Sequence, residues 1–179
     1  MNADIVIVGA GPAGIFTALK LIDERPKTHI VLLEKGLPVE RRHCPKDKTG
    51  HCVNCQPCNI TTGFSGAGAF SDGKLSLSYE VGGDLPELIG AGKAQETIDK
   101  VDKIYLSFGA DEHVEGAGHN AQIRDIRRRA IQAGLKMVDC PIRHLGTEKA
   151  QELYLAIENH LRDAGVEMRF CTECRDVII

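Results

Sequence analysis

The chain opens on Ile5, Val6, Ile7 and Val8, four apolar residues in a row with no polar alternation. That is the pattern of a short parallel strand buried on both faces. Gly9-Ala10-Gly11-Pro12-Ala13-Gly14 follows, and then Ile15, Ala18, Leu19 and Ile22 at spacings of three and four. The spacing predicts an amphipathic helix. A second apolar run over 30–33 predicts another strand, ending at Glu34. Residues 5–34 therefore read as a β-α-β unit.

Beyond it the pattern breaks. Residues 35–62 have no periodicity and carry charges, prolines and four cysteines; a loop of that length is usually functional or disordered. Residues 63–75 are glycine-rich. From 84 to 134 the chain reads as helices, with one apolar stripe at Ile98, Val101, Tyr105 and Phe108 and another at Ile123, Ile126, Ala130 and Ile131. Residues 109–118 connect them. Residues 135–145 look extended, and Gly146-Thr147 opens a helix with Thr147 as its N-cap and Leu153, Tyr154, Ile157 and Leu161 on one side. Gly165 stops that helix, and 166–170 and 176–179 read as strands. The fold class expected is α/β with a parallel sheet. An uncapped apolar strand at 177–179 would be an aggregation liability, so the sheet is expected to continue in a longer chain.

The first turn has the chemistry of a dinucleotide site. Gly9 permits a tight turn, Gly11 lets backbone approach a pyrophosphate, and Gly14 lets helix pack on strand. Pro12 suits a first helical position, where its missing N–H costs nothing. The helix N-terminus offers free N–H groups and a positive dipole end. Glu34 lies twenty residues after Gly14, placed to accept from a ribose diol.

Composition narrows the alternatives. The 179 residues are 42% hydrophobic and 26% charged, ordinary for a globular protein. Lys plus Arg is 22 against 25 for Asp plus Glu, a net charge of -3, which argues against a nucleic-acid partner. Aromatics are 4% with no Trp, so no base-stacking platform is expected. There is no basic n-region and no apolar run of about 18 residues, so neither export nor membrane insertion is expected. Seven cysteines without export signals favour a reducing cytoplasm.

Cys44, Cys52, Cys55 and Cys58 give C-x7-C-x2-C-x2-C. Such spacing suits zinc or an iron–sulfur cluster, with His43 and His51 nearby, although the ferredoxin run fails at Asn59. Cys55 and Cys58 would equally suit a redox-active dithiol, and ordinary reduced thiols are a third reading. Cys171 and Cys174 form a second CxxC, but on a strand they would face opposite ways. Cys140 reads as a small buried apolar residue.

Gly68-Ala69-Phe70-Ser71-Asp72-Gly73-Lys74 nearly spells a P-loop, but Leu75 stands where Ser or Thr must hold Mg²⁺, and no buried strand precedes it. Close approach of backbone to a ligand is the better reading, with Ser65, Ser71 and Lys74 as polar contacts. Arg124, Arg127, Arg128 and Arg129 read as a solvated helix face, with binding of an acidic substrate or a cofactor phosphate as the sharper alternative; for His144 at a strand end, facing a substrate is the minority reading.

GAGPAG, VLLEKG and the segment CPKDKTGHCVNCQPCNITTGFSGAGAFSDGKLSLS together resemble a largely uncharacterised family of FAD-dependent dehydrogenases from bacteria and archaea, often labelled NAD(FAD)-utilising. These are flavoproteins of the glutathione-reductase type of Rossmann fold. The resemblance implies FAD, with Gly9, Gly11, Pro12, Ala13 and Gly14 at the pyrophosphate and Glu34 with Lys35 at the adenosine ribose. It places Gly63, Ser65, Gly66, Gly68, Ser71 and Lys74 near the pyrophosphate and the flavin side. It also implies an FAD-binding segment over 1–83 with the Cys-rich loop 44–58, a helical substrate-domain insertion over 84–145, and a return to the FAD-binding domain over 146–179. A later glycine motif and a Gly-Asp motif of the family do not occur here, so an incomplete FAD site is expected. The function implied is the N-terminal part of an FAD-dependent oxidoreductase acting on a small-molecule substrate, with NAD(P)H as its electron donor. Two other classes remain open: an NAD(P)-binding dehydrogenase, and a non-enzymatic FAD- or metal-binding interaction module. No catalytic residue is assigned.

Overall fold

A computed structural model of the chain describes residues 2–71, 73–118 and 120–178. The chain divides into two compact units, Met1–Gly73 with Gly146–Ile179, and Lys74–Leu145. In chain order the elements are β1 (Ile5–Val8), α1 (Pro12–Glu24), β2 (Ile30–Leu33), α2 (Lys46–Thr49), β3 (Lys74–Ser76), α3 (Leu85–Ile89), α4 (Ala91–Ser107), α5 (Ala121–Gln132), β4 (Ile142–His144), α6 (Thr147–Asp163) and β5 (Glu167–Arg169).

In the first unit β1, β2 and β5 form a parallel sheet in that order. Ile5 pairs with Ile30 and Val8 with Leu33, while Val31 pairs with Glu167 on the other side. The α1 stripe does what its spacing predicts: Ile15, Ala18 and Leu19 are buried. α6 packs against α1 with Leu153, Ile157 and Leu161 buried. Each such side chain contributes about 1.5–3 kcal/mol when fully removed from water. α6 also reaches two 3-10 turns, Val39–Arg41 and Gly66–Phe70, and so fixes the loops beside the first turn. One attachment is polar: the Val39 N–H donates to Glu158 Oε2 at 3.0 Å, and Arg162 lies 2.7 Å from Glu158 Oε1. Burial pushes the Glu158 carboxyl up, and these two partners oppose it.

Several expectations need correction. β1 is not buried on both faces. Ile7 is buried toward α1, whereas Val6 and Val8 are 53% and 60% exposed, because α1 covers only one side of the strand. The stretch 135–145 pairs only over Ile142–His144, and 176–178 forms no strand. Gly146 occupies the cap position of α6; the side chain of Thr147 lies outside the described residues, as does Asp72.

In the second unit β3 and β4 run antiparallel, Lys74 opposite His144. Asn120 caps α5 by accepting from the Ile123 N–H at 2.9 Å. Buried Arg143 grips Asp102 through two bonds of 2.5 and 2.8 Å. The basic run is a solvated face tied to carboxylates, Arg127 to Asp139 and both Arg128 and Arg129 to Asp125. His144 Nε2 lies 3.1 Å from Glu115. The α5 stripe is not buried as its spacing suggests, since Ile126 and Ile131 are 49% and 66% exposed.

Candidate functional site

The turn between β1 and α1 shows why three glycines stand there. Gly9 has φ +95°, a conformation that side chains disfavour, and its N–H donates to Leu33 O at 2.8 Å. A Cβ on Gly14 would lie 2.0 Å from Gly9 O and 3.3 Å from Ile7 Cγ2. A Cβ on Gly11 would meet nothing within 4 Å, so backbone there faces open space. Gly11 is the N-cap of α1 without any side-chain cap, and Pro12 follows. The N–H groups of Ala13 and Gly14 lie in the first turn, where a helix has no internal acceptors. Together with the helix dipole they form a natural seat for phosphate.

Glu34 is buried, and its carboxylate already holds the backbone. The Ala10 N–H donates to Oε2 and the Gly36 N–H to Oε1, both at 2.8 Å. Its own N–H donates to Arg169 O, and its carbonyl accepts from the Thr172 N–H, both at 2.9 Å. Glu34 thus fastens the first turn, the start of the long loop and the exit of β5 to one another. Each oxygen keeps a further lone pair for a ligand. A cleft of about 290 Å³ opens at the carboxyl ends of β1 and β2, lined by Val8, Gly9, Glu34, Lys35, Thr172 and Cys174. Ligands of open parallel sheets bind at such ends. The sequence reading took Cys174 only as part of a second CxxC; it is the pairing of β5 with β2 that brings 172–174 to this edge.

Ser65 sits against this turn. It is fully buried at φ +69°, and its N–H donates to Ala10 O at 2.7 Å. Its Oγ has no hydrogen-bond partner among the described residues. A buried orphan hydroxyl is costly unless something meets it. Arg42, which the sequence reading missed, braces the same stretch. Its guanidinium donates to Asn59 O at 2.8 Å, Ile60 O at 2.7 Å and Phe64 O at 2.6 Å, and it stacks 4.5 Å from the Phe70 ring centre. Burial pushes this guanidinium down, while Glu34 and Cys58 pull it up. Gly63 has φ +124°, and a Cβ there would lie 2.6 Å from Leu37 O and 2.7 Å from Arg42 Cδ. Gly66 begins the 3-10 turn, and a Cβ on Gly68 would come 3.2 Å from Tyr154 Oη. Ser71 is exposed and bonded locally, accepting from the Gly73 N–H at 3.2 Å. Lys74 is exposed and belongs to the second unit. The glycine-rich stretch is no P-loop: a buried strand does not precede it.

The cysteines do not gather. Among the described residues no three His, Cys, Asp or Glu side chains are grouped to hold a metal ion. The zinc or iron–sulfur reading of Cys44, Cys52, Cys55 and Cys58 thus lacks support, and all four are free cysteines. Cys52 Sγ donates to Asn54 Oδ1 at 3.6 Å, and His51 Nδ1 lies 2.9 Å from Thr49 O. Cys58 differs from the rest. The N–H groups of Ile60 and Thr61 and the Thr61 hydroxyl hold its thiol below the usual range, with Arg42 adding a smaller pull.

Residues 6–72 match the FAD-NAD(P)-binding family. The matched residues lie within the first unit and contain the β1–α1 turn. An uncharacterized protein of Clostridium beijerinckii (strain ATCC 51743 / NCIMB 8052) is 40% identical over 101 residues, covering 54% of this chain and 18% of that protein. The chain thus spans under a fifth of that relative's length. Among solved structures, the chain is similar to L-amino acid deaminase from Proteus vulgaris, with 14% identity and a TM-score of 0.45 over 95% of this chain and 40% of that one. It is also similar to a 3-ketosteroid-delta4-(5alpha)-dehydrogenase from Rhodococcus jostii RHA1, with 14% identity and a TM-score of 0.49 over 94% and 38%. No helix among the described residues is long and apolar enough to cross a membrane.

Proposed function

We propose that the chain forms part of an FAD-dependent oxidoreductase, with the β1–α1 turn holding the pyrophosphate of FAD. One observation carries the reading most directly. The buried, unpartnered hydroxyl of Ser65 adjoins the same turn whose Gly11 opens onto free space. An anionic group seated at the turn would relieve Ser65 and use the first N–H groups of α1 together. Glu34 and Lys35 would meet the adenosine ribose in the cleft they line.

The choice of FAD over a nicotinamide nucleotide is supported by the resemblance of the cysteine loop and GAGAFSDGKL to the NAD(FAD)-utilising dehydrogenases. The same resemblance supports a Rossmann-like fold of the glutathione-reductase type. Within that reading the second unit belongs to the substrate side, the substrate is a small molecule, and the compartment is a reducing one. When bound, FAD supplies an isoalloxazine that takes up a hydride or electrons; the protein supplies binding, orientation and electrostatics. Gly11, Ala13 and Gly14 would hold phosphate by backbone, Glu34 would orient the ribose, and Arg42 would keep Ser65 in place through Phe64 O.

The test is binding by the purified protein, followed by flavin absorbance and fluorescence. Uptake of FAD that weakens in Ser65→Ala and Gly11→Ala is the expected outcome. A protein that takes up only nicotinamide nucleotides would overturn the assignment.

A further inference from the structure

We propose that Glu158 is a positioning residue for the phosphate seat, acting from α6 through the turn Val39–Arg41 and Arg42. Its effect on a ligand rests on the flavin reading; the brace itself is a matter of hydrogen bonds within the first unit. Glu158 does not line the cleft of Glu34 and Lys35, and its side chain is fully buried. A buried carboxylate is costly unless both oxygens are met. Here they have separate partners. Oε1 takes the Arg162 guanidinium at 2.7 Å, one turn along the same helix. Oε2 accepts the Val39 N–H at 3.0 Å. The first bond stays within α6, and the second leaves it to fix a buried residue of the long loop.

From Val39 the connection runs unbroken to the glycine turn. The Arg42 N–H donates to Val39 O at 3.1 Å, which sets the root of the Arg42 side chain. Its guanidinium gathers the carbonyls of Asn59, Ile60 and Phe64, and the Phe64 N–H returns to Leu37 O at 3.1 Å. Ser65 follows, with its N–H on Ala10 O. The orphan Ser65 hydroxyl is thus held at the seat by a chain of bonds whose far end is Glu158. Neutralising that carboxylate takes charge assistance from the Val39 bond, and charge-assisted bonds are about twice as strong as neutral ones.

Among the described residues, the charged groups facing Glu158 are Arg162 on its own helix and Glu40 on the turn. The turn Gly66–Phe70 has no titratable side chain, and Lys20, Asp23 and Glu24 of α1 are exposed. Burial pushes the Glu158 carboxyl up and Glu40 adds to it, against the pull of Val39 and Arg162. Acid therefore neutralises Glu158 sooner than an exposed glutamate, and so loosens the brace.

Two measurements on the whole chain test this. Amide exchange followed by mass spectrometry compares wild type with Glu158→Gln, which keeps the shape and loses the charge. Exchange should rise roughly fivefold in peptides covering 36–43 and 59–65, with a peptide over 15–22 of α1 unchanged. FAD titrations at about pH 8 and about pH 5 then read the seat. Glu158→Gln should bind FAD roughly fivefold more weakly at the higher pH. The gap should narrow at the lower pH, where wild type also carries a neutral acid. Exchange that rises in 36–43 but not in 59–65, or in all peptides alike, overturns the brace. An affinity gap that is absent, or equal at the two pH values, overturns its role at the seat. Failure of wild type to take up FAD would instead sink the flavin reading, and exchange over 59–65 would decide the brace without it.

Discussion

Gly14 lies so close to Gly9 that a single added carbon would stand 2.0 Å from the Gly9 carbonyl oxygen. The obstacle is backbone, which cannot swing aside as a long side chain would. Gly14→Ala should therefore push α1 away from β1 and cost about 1–3 kcal/mol of stability. Gly11 makes the contrast. Its φ of -74° suits any residue and its surroundings are open, so Gly11→Ala should fold normally. Urea unfolding and an FAD titration separate the two. Gly14→Ala should lose both stability and affinity, and Gly11→Ala affinity alone.

Glu34 was expected to serve a ribose, and the structure gives its carboxylate a second task. Glu34→Ala would strand the buried N–H groups of Ala10 and Gly36, at about 1–3 kcal/mol each. Glu34→Gln keeps one acceptor and turns an amide donor toward the other N–H, so it should fall between. Thermal melts without ligand measure the structural share. If Glu34 also meets the ribose, both variants should lose more stability against wild type in saturating FAD than without it. Equal losses with and without FAD would leave Glu34 a purely structural clamp.

Ser65 should behave in the opposite way. Its orphan hydroxyl contributes nothing to the ligand-free fold, so Ser65→Ala should unfold at the same urea concentration or slightly higher. If the hydroxyl meets a phosphate, affinity for FAD should fall roughly tenfold, since a hydrogen bond to a charged group is worth about 1.5–3 kcal/mol. A variant that is stabler and binds as tightly would remove Ser65 from the site.

What was readable in the sequence was local. The apolar run, the glycines and the α1 stripe each follow from spacing within a few residues, and β1, α1 and β2 form where that spacing puts them. What was hidden was non-local. Arg42 looks like one more loop charge until the chain folds three carbonyls from residues 59–64 around it. The 172–174 segment enters the cleft only because β5 pairs with β2, a partnership no short-range pattern encodes. The exposure of Val6 and Val8 was misjudged for a related reason. A run of β-branched residues marks a strand, but which faces are covered depends on elements far away in sequence. The cysteines are a different case. Their spacing permits a metal site, but among the described residues no three potential ligands are grouped to hold an ion.

His29 makes the fold sensitive to pH. Its ring lies 2.9 Å from Asn2 O through Nδ1 and 3.2 Å from Glu167 Oε2 through Nε2, linking the segment before β1 to β5. The Asn2 carbonyl first, and Glu167 second, hold the imidazole above its ordinary pKa of 6.5. The protonated ring is thus favoured more in the folded state than in the unfolded chain. Its contribution is complete below the unfolded value and disappears as pH rises through the higher folded one. Glu167 behaves inversely: Arg169 first, then His29, keep its carboxyl below the usual range, and its contribution vanishes as pH falls through that lowered value. The link is therefore strongest in mildly acid solution, between the two. The side chains are 40% and 34% exposed, so solvent and salt screen the pair. Urea unfolding of wild type and His29→Gln at about pH 5.5 and about pH 8.5 tests this. The wild-type advantage should be measurable at the lower pH, shrink with added salt and vanish at the higher pH. An advantage that grew with pH would mean that the neutral ring, not the imidazolium, holds β5 in place.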